Sequence, residues 1–226
     1  MLLVANAFIA DNFARTFDRL LADIAQKAGM AAEFWRPLCD PSPPKNRRFS
    51  HLILSGSDAS IVDNYPWEKP LGSLLEEFIG LGRPVLGICY GHQFIVKTLC
   101  GKNHIRHAAK PEFGYRRIKF STNPLFVGIQ KPLISMVSHF DEVHSLGDGF
   151  RVLASTPDCE VQAFQYSDRP VWGMQFHPEY GPGSVEEIFT YVAGIYPDCQ
   201  KRFHQEMKTE ADLDQNGKIF LNFLKS

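Results

Sequence analysis

Residues 84–93 read Pro-Val-Leu-Gly-Ile-Cys-Tyr-Gly-His-Gln, from Pro84 to Gln93, and this stretch decides the fold. Its apolar first half predicts a buried strand that turns tightly into a helix. Gly87 and Gly91 stand two residues either side of Cys89, like the glycines around the nucleophile of a strand-to-helix elbow, where a Cβ atom has no room. Such an elbow directs the sulfur to the N-terminus of the helix, which favours the nucleophilic thiolate. The alternative interpretation is a buried structural cysteine.

Strands and helices alternate through the first half of the chain. The predicted strands are Leu2–Val4, Ala32–Trp35, His51–Leu54 and Pro84–Ile88. The predicted helices are Phe13–Ala28, Leu71–Leu81 and His92–Leu99. This order predicts an α/β fold with a mostly parallel central sheet and helices on both faces.

Beyond Gly101 the pattern changes to short strands separated by turn residues, which predicts that antiparallel strands are added to the sheet. These strands are Tyr115–Phe120, Leu133–Val137, Arg151–Ala154, Val161–Gln165 and Val171–Gln175. Two helices are predicted near the end of the chain, Ser184–Ile195 and Lys218–Leu224. We therefore expect a single domain over residues 1–226, with residues 181–226 as a C-terminal helical extension.

Composition excludes several classes of protein. The formal net charge is -1, so the basic excess of a nucleic-acid-binding protein is missing. The sequence contains no apolar run long enough to span a membrane. The five cysteines form no C-x-x-C pair, and the histidines follow no metal-binding spacing, so we expect no metal, no disulfide framework and reduced cysteines in the cytoplasm.

A second motif, Gln175-Phe176-His177-Pro178-Glu179, supplies the partners that a cysteine nucleophile needs. Pro178 favours an extended backbone at His177. Residues two apart in an extended segment point the same way, so the Glu179 carboxylate can hold one ring nitrogen of His177 and leave the other for sulfur. By itself this motif is more typical of a surface turn, but a cysteine elbow on the same sheet favours a catalytic triad.

These two blocks, together with the loop Ser55-Gly56, resemble the three signature regions of class I (triad) glutamine amidotransferase domains in content, order and separation. The resemblance extends over roughly Leu2 to Tyr180. It implies the flavodoxin-like fold of that family and an enzyme that needs no cofactor.

The resemblance also implies a role for each matching residue. Cys89 would form the γ-glutamyl thioester, with His177 as the acid and base and Glu179 orienting it. The main-chain N–H groups of Tyr90 and Ser57 would form the oxyanion hole. The substrate would be bound by Gly56, by Gln93 and by a loop over Ser138–Val143, in particular by Ser138, His139 and Phe140.

Two positions depart from the family pattern. Ser57 replaces the second glycine of the S-G-G-P loop, so its amide could stay flipped until a partner or the substrate arranges it. Phe140 replaces the glycine that follows S-H in the synthase-linked members, and S-H-x-D-E-V is closer to free-standing members similar to γ-glutamyl peptidases.

The expected function is hydrolysis of the side-chain amide of glutamine, or of another γ-glutamyl amide, through a cysteine thioester. The released ammonia would pass to a partner synthase, as in the glutaminase part of GMP synthase. One alternative is a free-standing γ-glutamyl peptide hydrolase, and another is a non-catalytic regulatory module on the same fold. No partner other than such a synthase is expected.

Overall fold

The computed structural model describes residues 1–45 and 48–226, with the backbone only at residues 182–187 and 195. Within the described residues the strands, β1 to β10, are Leu2–Ala5, Ala32–Trp35, His51–Leu54, Val85–Ile88, Ile105–Phe120, Leu133–Val143, Phe150–Ser155, Ala163–Tyr166, Val171–Met174 and Phe203–Gln205. The helices, α1 to α5, are Asp11–Lys27, Glu68–Gly80, Tyr90–Cys100, Pro182–Ile195 and Gly217–Phe223.

One half of the sheet is parallel and follows the order β2-β1-β3-β4-β9. Strands β1, β3 and β4 are buried on both sides, which explains their largely apolar sequences, whereas the edge strand β2 is only partly buried. Alternate residues of β1 point to opposite faces: Leu2 and Val4 pack with α1 and α5, whereas Leu3 and Ala5 pack with α2 and α3. The predicted α/β architecture with helices on both faces is therefore confirmed.

The added half of the sheet is antiparallel from β9 through β8 and β7 to β5, and β6 pairs with β5 along a second edge. Strand β9 joins the two halves, because it runs antiparallel to β8, as predicted, and parallel to β4, which the sequence did not indicate. Strands β5 and β6 are much longer than predicted. Their polar residues suggest a loop in the sequence, but in the structure these residues pair with each other across the two strands.

Residues 181–226 contain more than helices. Strand β10 was not predicted, and it pairs in parallel with the middle of β5. Helix α5 buries Ile219, Phe220 and Phe223 in the same core as α1. The predicted helical extension is therefore corrected to a mixed segment whose last helix belongs to the main core. No helix among the described residues is both long and apolar enough to cross a membrane.

Candidate active site

The elbow at Cys89 joins β4 to α3 through a strained backbone. Cys89 has φ 49° and ψ -101°, a region that residues with a side chain rarely adopt. A Cβ atom on Gly87 would lie 2.4 Å from the carbonyl oxygen of Gly91, and one on Gly91 would lie 2.5 Å from that of Leu54. The two glycines thus permit a turn in which the chain passes close to itself, as the sequence predicts.

Gly87→Ala is expected to destabilise the protein by about 3 kcal/mol, because the new methyl group meets backbone that cannot move aside without opening the elbow. The measurement is urea unfolding followed by circular dichroism. Gly80→Ala at the end of α2 is the matched control, since nothing lies within 4 Å of its added Cβ, and it should change the free energy of unfolding by less than about 1 kcal/mol. Equal effects of the two substitutions would contradict this account of the elbow.

His177 reaches the elbow because β9 lies directly beside β4. The two strands are parallel and end together, with Ile88 paired to Met174, and the main-chain N–H of Cys89 donates to the Met174 carbonyl at 2.7 Å. The main-chain N–H of His177 donates to Met136 at 2.8 Å, which holds the segment after β9 against β6. The carboxyl ends of neighbouring parallel strands meet at one edge of a sheet, and functional residues collect there.

The imidazole lies between a carboxylate and a sulfur atom. Its Nδ1 is 2.7 Å from Oε1 of Glu179, and a Cβ atom on Gly56 would contact both the ring and Cβ of Cys89, so the two side chains lie near each other. Burial alone would lower the pKa of His177, but the Glu179 carboxylate and the Cys89 sulfur outweigh it and raise that pKa from 6.5 to about 10. The ring therefore holds a proton more tightly than an ordinary imidazole does, and it lies where it can donate that proton beside the sulfur.

Gln175 contacts the sulfur, and the sequence alone did not identify it. Its Nε2 lies 3.4 Å from the Cys89 Sγ, and its Oε1 accepts a hydrogen bond of 2.9 Å from Nε2 of Gln93. Nε2 of Gln93 also donates to the Asp141 carbonyl at 2.7 Å. Because Oε1 of Gln175 is engaged by Gln93, its Nε2 has to face the sulfur. In the sequence, the signal that could have identified Gln175 was its position two residues before His177.

Gln175→Met is expected to lower kcat/KM on glutamine about tenfold to a hundredfold, because the hydrogen bond that holds the attacking sulfur in place is lost. The alkylation rate of Cys89 by iodoacetamide at pH 7 should fall with it, which a purely structural role would not cause. Gln26→Met, on the exposed surface of α1, is the control and should change neither rate. Unchanged alkylation of the Gln175 variant would contradict a role in holding the sulfur.

The residues predicted for the oxyanion hole border the same space. Tyr90 is the first residue of α3, where a main-chain N–H has no partner within the helix. Ser57 lines the cavity, and its hydroxyl donates to the Ala7 carbonyl at 2.7 Å and accepts from the Ala59 N–H at 3.0 Å. A Cβ on Gly56 would lie 3.3 Å from the His177 ring and 3.7 Å from Cβ of Cys89. The loop around Gly56 thus lies against both groups.

The predicted substrate loop is part of β6, which corrects the sequence analysis. Ser138 and His139 pair with β5, and buried polar residues of this stretch find partners there. Nε2 of His139 is 3.3 Å from Glu112, and the Asp141 carboxylate is 2.7 Å from Nδ1 of His107. Polar residues that look like a loop in sequence are therefore compatible with a buried strand.

A cavity of about 620 Å³ joins these groups. Cys89 and His177 lie on its surface, as do the predicted substrate residues Gln93, Ser138, His139 and Phe140. The amide nitrogen of Gln93 already donates to protein groups. The carbonyl oxygen of Ser138 lies 3.8 Å from the Cys89 Sγ. The structure thus brings most of the predicted catalytic and substrate residues to one cavity. Glu179 and Gly56 do not line it, although Glu179 contacts His177.

Comparisons of the sequence with known proteins agree on one family. A model of the family described as glutamine amidotransferase class-I matches residues 11–190. The glutamine-hydrolysing GMP synthase of Caldicellulosiruptor saccharolyticus is 34% identical over 196 residues, which are 83% of this chain and 36% of that protein. That of Clostridium novyi is 36% identical over 142 residues, 60% of this chain and 27% of that protein. The chain thus spans about a third of the length of these relatives.

Solved structures show the same fold. A glutamine amidotransferase from Thermotoga maritima has a TM-score of 0.77 at 18% identity, covering 99% of this chain and 96% of that one. A glutamine amidotransferase from Methylobacillus flagellatus has a TM-score of 0.77 at 19% identity, covering 100% of this chain and 94% of that one. At these identities the likeness shows the fold alone, and it confirms the predicted flavodoxin-like architecture.

Proposed function

The chain belongs to the class I glutamine amidotransferase family, and on that premise we propose that it hydrolyses the side-chain amide of glutamine, or of another γ-glutamyl compound, through a thioester on Cys89. The observation that carries the proposal is the position of Cys89 at a strained elbow within reach of His177, whose other nitrogen is held by Glu179 at 2.7 Å. A buried cysteine with only a structural role would need neither the strain nor the charged partners.

The reaction follows from the groups in the cavity. The sulfur attacks the amide carbon, and the N–H groups of Tyr90 and Ser57 stabilise the oxyanion, each by about 3 kcal/mol. His177 gives its proton to the leaving nitrogen as the C–N bond breaks, so ammonia departs and the thioester remains. His177 then accepts a proton from water, which attacks the thioester and releases glutamate with the sulfur restored. Glu179 keeps the ring oriented throughout.

We propose that the ammonia passes to a partner synthase. The support is the likeness to relatives described as glutamine-hydrolysing GMP synthases, of whose length this chain spans about a third. The alternative, a free-standing hydrolase of γ-glutamyl compounds, is favoured by Phe140 and by a cavity of about 620 Å³, which is large for glutamine alone. The strained elbow at Cys89 and the Glu179 carboxylate that holds His177 at 2.7 Å argue against a non-catalytic module.

Purified protein incubated with glutamine and with γ-glutamyl peptides tests the proposal, with ammonia and glutamate measured separately. Glutamate formation from any of these compounds is expected, and adding the synthase part of a GMP synthase should accelerate glutamine turnover if ammonia is passed on. Mass spectrometry of protein quenched during turnover should detect the glutamyl adduct on the Cys89 peptide. Complete absence of both glutamate and adduct would contradict the proposed chemistry.

A further inference from the structure

The cavity continues from the sulfur into a space with aromatic walls, which we call the aromatic annex and define by Phe13, Phe140, Tyr191, Val192 and Tyr196. Glutamine would occupy only the part beside Cys89. The remaining space must hold either solvent or a larger group attached to the amide nitrogen, because this nitrogen is the only substituent of the reacting carbonyl that differs among γ-glutamyl amides.

One wall of the annex links α1 to α4. The rings of Phe13 and Tyr191 meet edge to face with their centres 4.6 Å apart, and Phe8 lies beside Phe13 at 6.1 Å. Phe13 is buried, whereas Tyr191 is 38% exposed at the cavity mouth. Phe13 on α1 and Tyr191 on α4 thus both present aromatic surface to the cavity.

The opposite wall links β6 to the end of α4. The ring of Phe140 lies 4.1 Å from that of Tyr196 and 4.8 Å from that of Phe113, which is buried behind it. Tyr196 is 50% exposed. Ile188, Tyr191 and Val192 stand at helical spacing on α4 and line the cavity, and Tyr196 follows directly after the helix.

The two acidic side chains of the cavity, Asp58 and Asp141, are already engaged by the protein. The Asp58 carboxylate accepts from the main-chain N–H groups of Ile9 at 2.7 Å and Ala10 at 3.1 Å. The Asp141 carboxylate accepts from the Ser60 hydroxyl at 2.6 Å and lies 2.7 Å from His107. Among the described residues that line the cavity, none is lysine or arginine.

A carboxylate on the departing amine would therefore meet two acidic side chains and no lysine or arginine among the described lining residues. Every γ-glutamyl substrate carries the same glutamyl group. A carboxylate on the departing amine is therefore a feature by which the cavity can distinguish one substrate from another. An uncharged aromatic or aliphatic group suits the annex, because burying it against the rings removes apolar surface from water at no electrostatic cost.

We propose that the annex binds the departing amine of γ-glutamyl amides whose nitrogen carries an apolar, carboxylate-free substituent of about the size of a benzyl group. This inference rests on the proposed thioester chemistry and specifies its substrate class. The sulfur forms a bond to the amide carbon, the C–N bond breaks, and the amine leaves with a proton from His177. Water then hydrolyses the thioester, so one amide and one water yield glutamate and the free amine.

The test compares kcat/KM for four compounds: glutamine, γ-glutamyl-methylamide, γ-glutamyl-benzylamide and γ-glutamyl-phenylalanine. The methylamide and the benzylamide both release a primary alkylamine, so the main difference between them is the ring. The benzylamide is expected to react about tenfold to a hundredfold faster than the methylamide. The phenylalanine conjugate carries a carboxylate on the carbon bonded to the nitrogen and holds its ring one methylene further away. It should be at least tenfold slower than the benzylamide.

Variants of Tyr196 assign the preference to the annex. Tyr196→Ala should lower the ratio of benzylamide to methylamide kcat/KM at least fivefold, whereas Tyr196→Phe, which keeps the ring, should retain the wild-type ratio. Leu81→Ala, at an exposed apolar residue outside the cavity, is the matched control and should also retain it. Melting temperatures of all variants show whether each remains folded.

The outcomes separate this inference from the proposed function. Turnover of glutamine and the methylamide with no advantage for the benzylamide would overturn the annex as a substrate site and leave the thioester chemistry standing. Failure on all four compounds would remove both. Acceleration of glutamine turnover by an added synthase, lost in Tyr196→Ala while the benzylamide shows no advantage, would identify the aromatic surface as a protein interface and would also overturn the inference.

Discussion

Cys89→Ala is expected to lower kcat for glutamine and γ-glutamyl amides by about 10⁴-fold or more, because removing a covalent nucleophile eliminates the thioester route entirely. What remains is the smaller acceleration from substrate binding and from the N–H groups of Tyr90 and Ser57. The effect should appear in kcat, since the sulfur contributes to the chemical step and little to binding. Steady-state release of glutamate measures it.

The control for this substitution is Cys39→Ala, at an exposed cysteine outside the cavity, which should retain full activity. The melting temperature of Cys89→Ala should stay close to that of the wild type, because only one sulfur atom is removed and the elbow glycines remain. A folded Cys89→Ala protein that still releases glutamate at the wild-type rate would contradict the nucleophile assignment.

Glu179→Gln is expected to lower kcat/KM by about 10³-fold at pH 7. The carboxylate holds Nδ1 of His177 at 2.7 Å, and an amide in its place can select the wrong tautomer and cannot stabilise the positive ring. The pKa of His177 should fall towards its ordinary value, so the variant loses the proton that the leaving nitrogen needs. The pH dependence of kcat/KM should therefore show an imidazole ionisation at lower pH than in the wild type.

The pH dependence of the free energy of unfolding should also reflect the pairing of His177 with Glu179. The folded pKa of His177, about 10, is above its unfolded value of 6.5, so protonation favours the folded state. The stabilisation is fully present below about pH 6.5 and is lost as the pH rises towards 10. Glu179→Gln should consequently be less stable than the wild type by about 3 kcal/mol at pH 6, with the difference narrowing towards pH 10.

Urea unfolding at several pH values between 6 and 10 measures this difference. Glu33→Gln is the matched control, because Glu33 pairs with Arg48 at 2.6 Å on the surface, where a salt bridge contributes less than about 1 kcal/mol. Its effect should not vary over this pH range. A difference for Glu179→Gln that stays constant from pH 6 to pH 10 would show that the carboxylate does not raise the pKa of His177.

The local elements were largely predictable from sequence because each depends on residues close together in the chain. The apolar run before Cys89 and the glycines around it specify a buried strand and a tight turn without reference to anything distant. The ends of the helices differ from the predicted ones by at most three residues, as expected where capping interactions decide them. The polar residues of β6 were misassigned because their partners lie on another strand.

Sequence alone determined which residue types stand at the elbow and in the His177-Pro178-Glu179 motif, since these are local patterns with a local physical cause. Only the tertiary structure decided that β9 runs parallel to β4 and ends beside it, which brings the imidazole to the sulfur across 88 positions of chain numbering, from Cys89 to His177. It also decided the contact of Gln175 with the sulfur and the aromatic walls of the cavity. These arise from strand order and helix packing, and neither is encoded within any one segment.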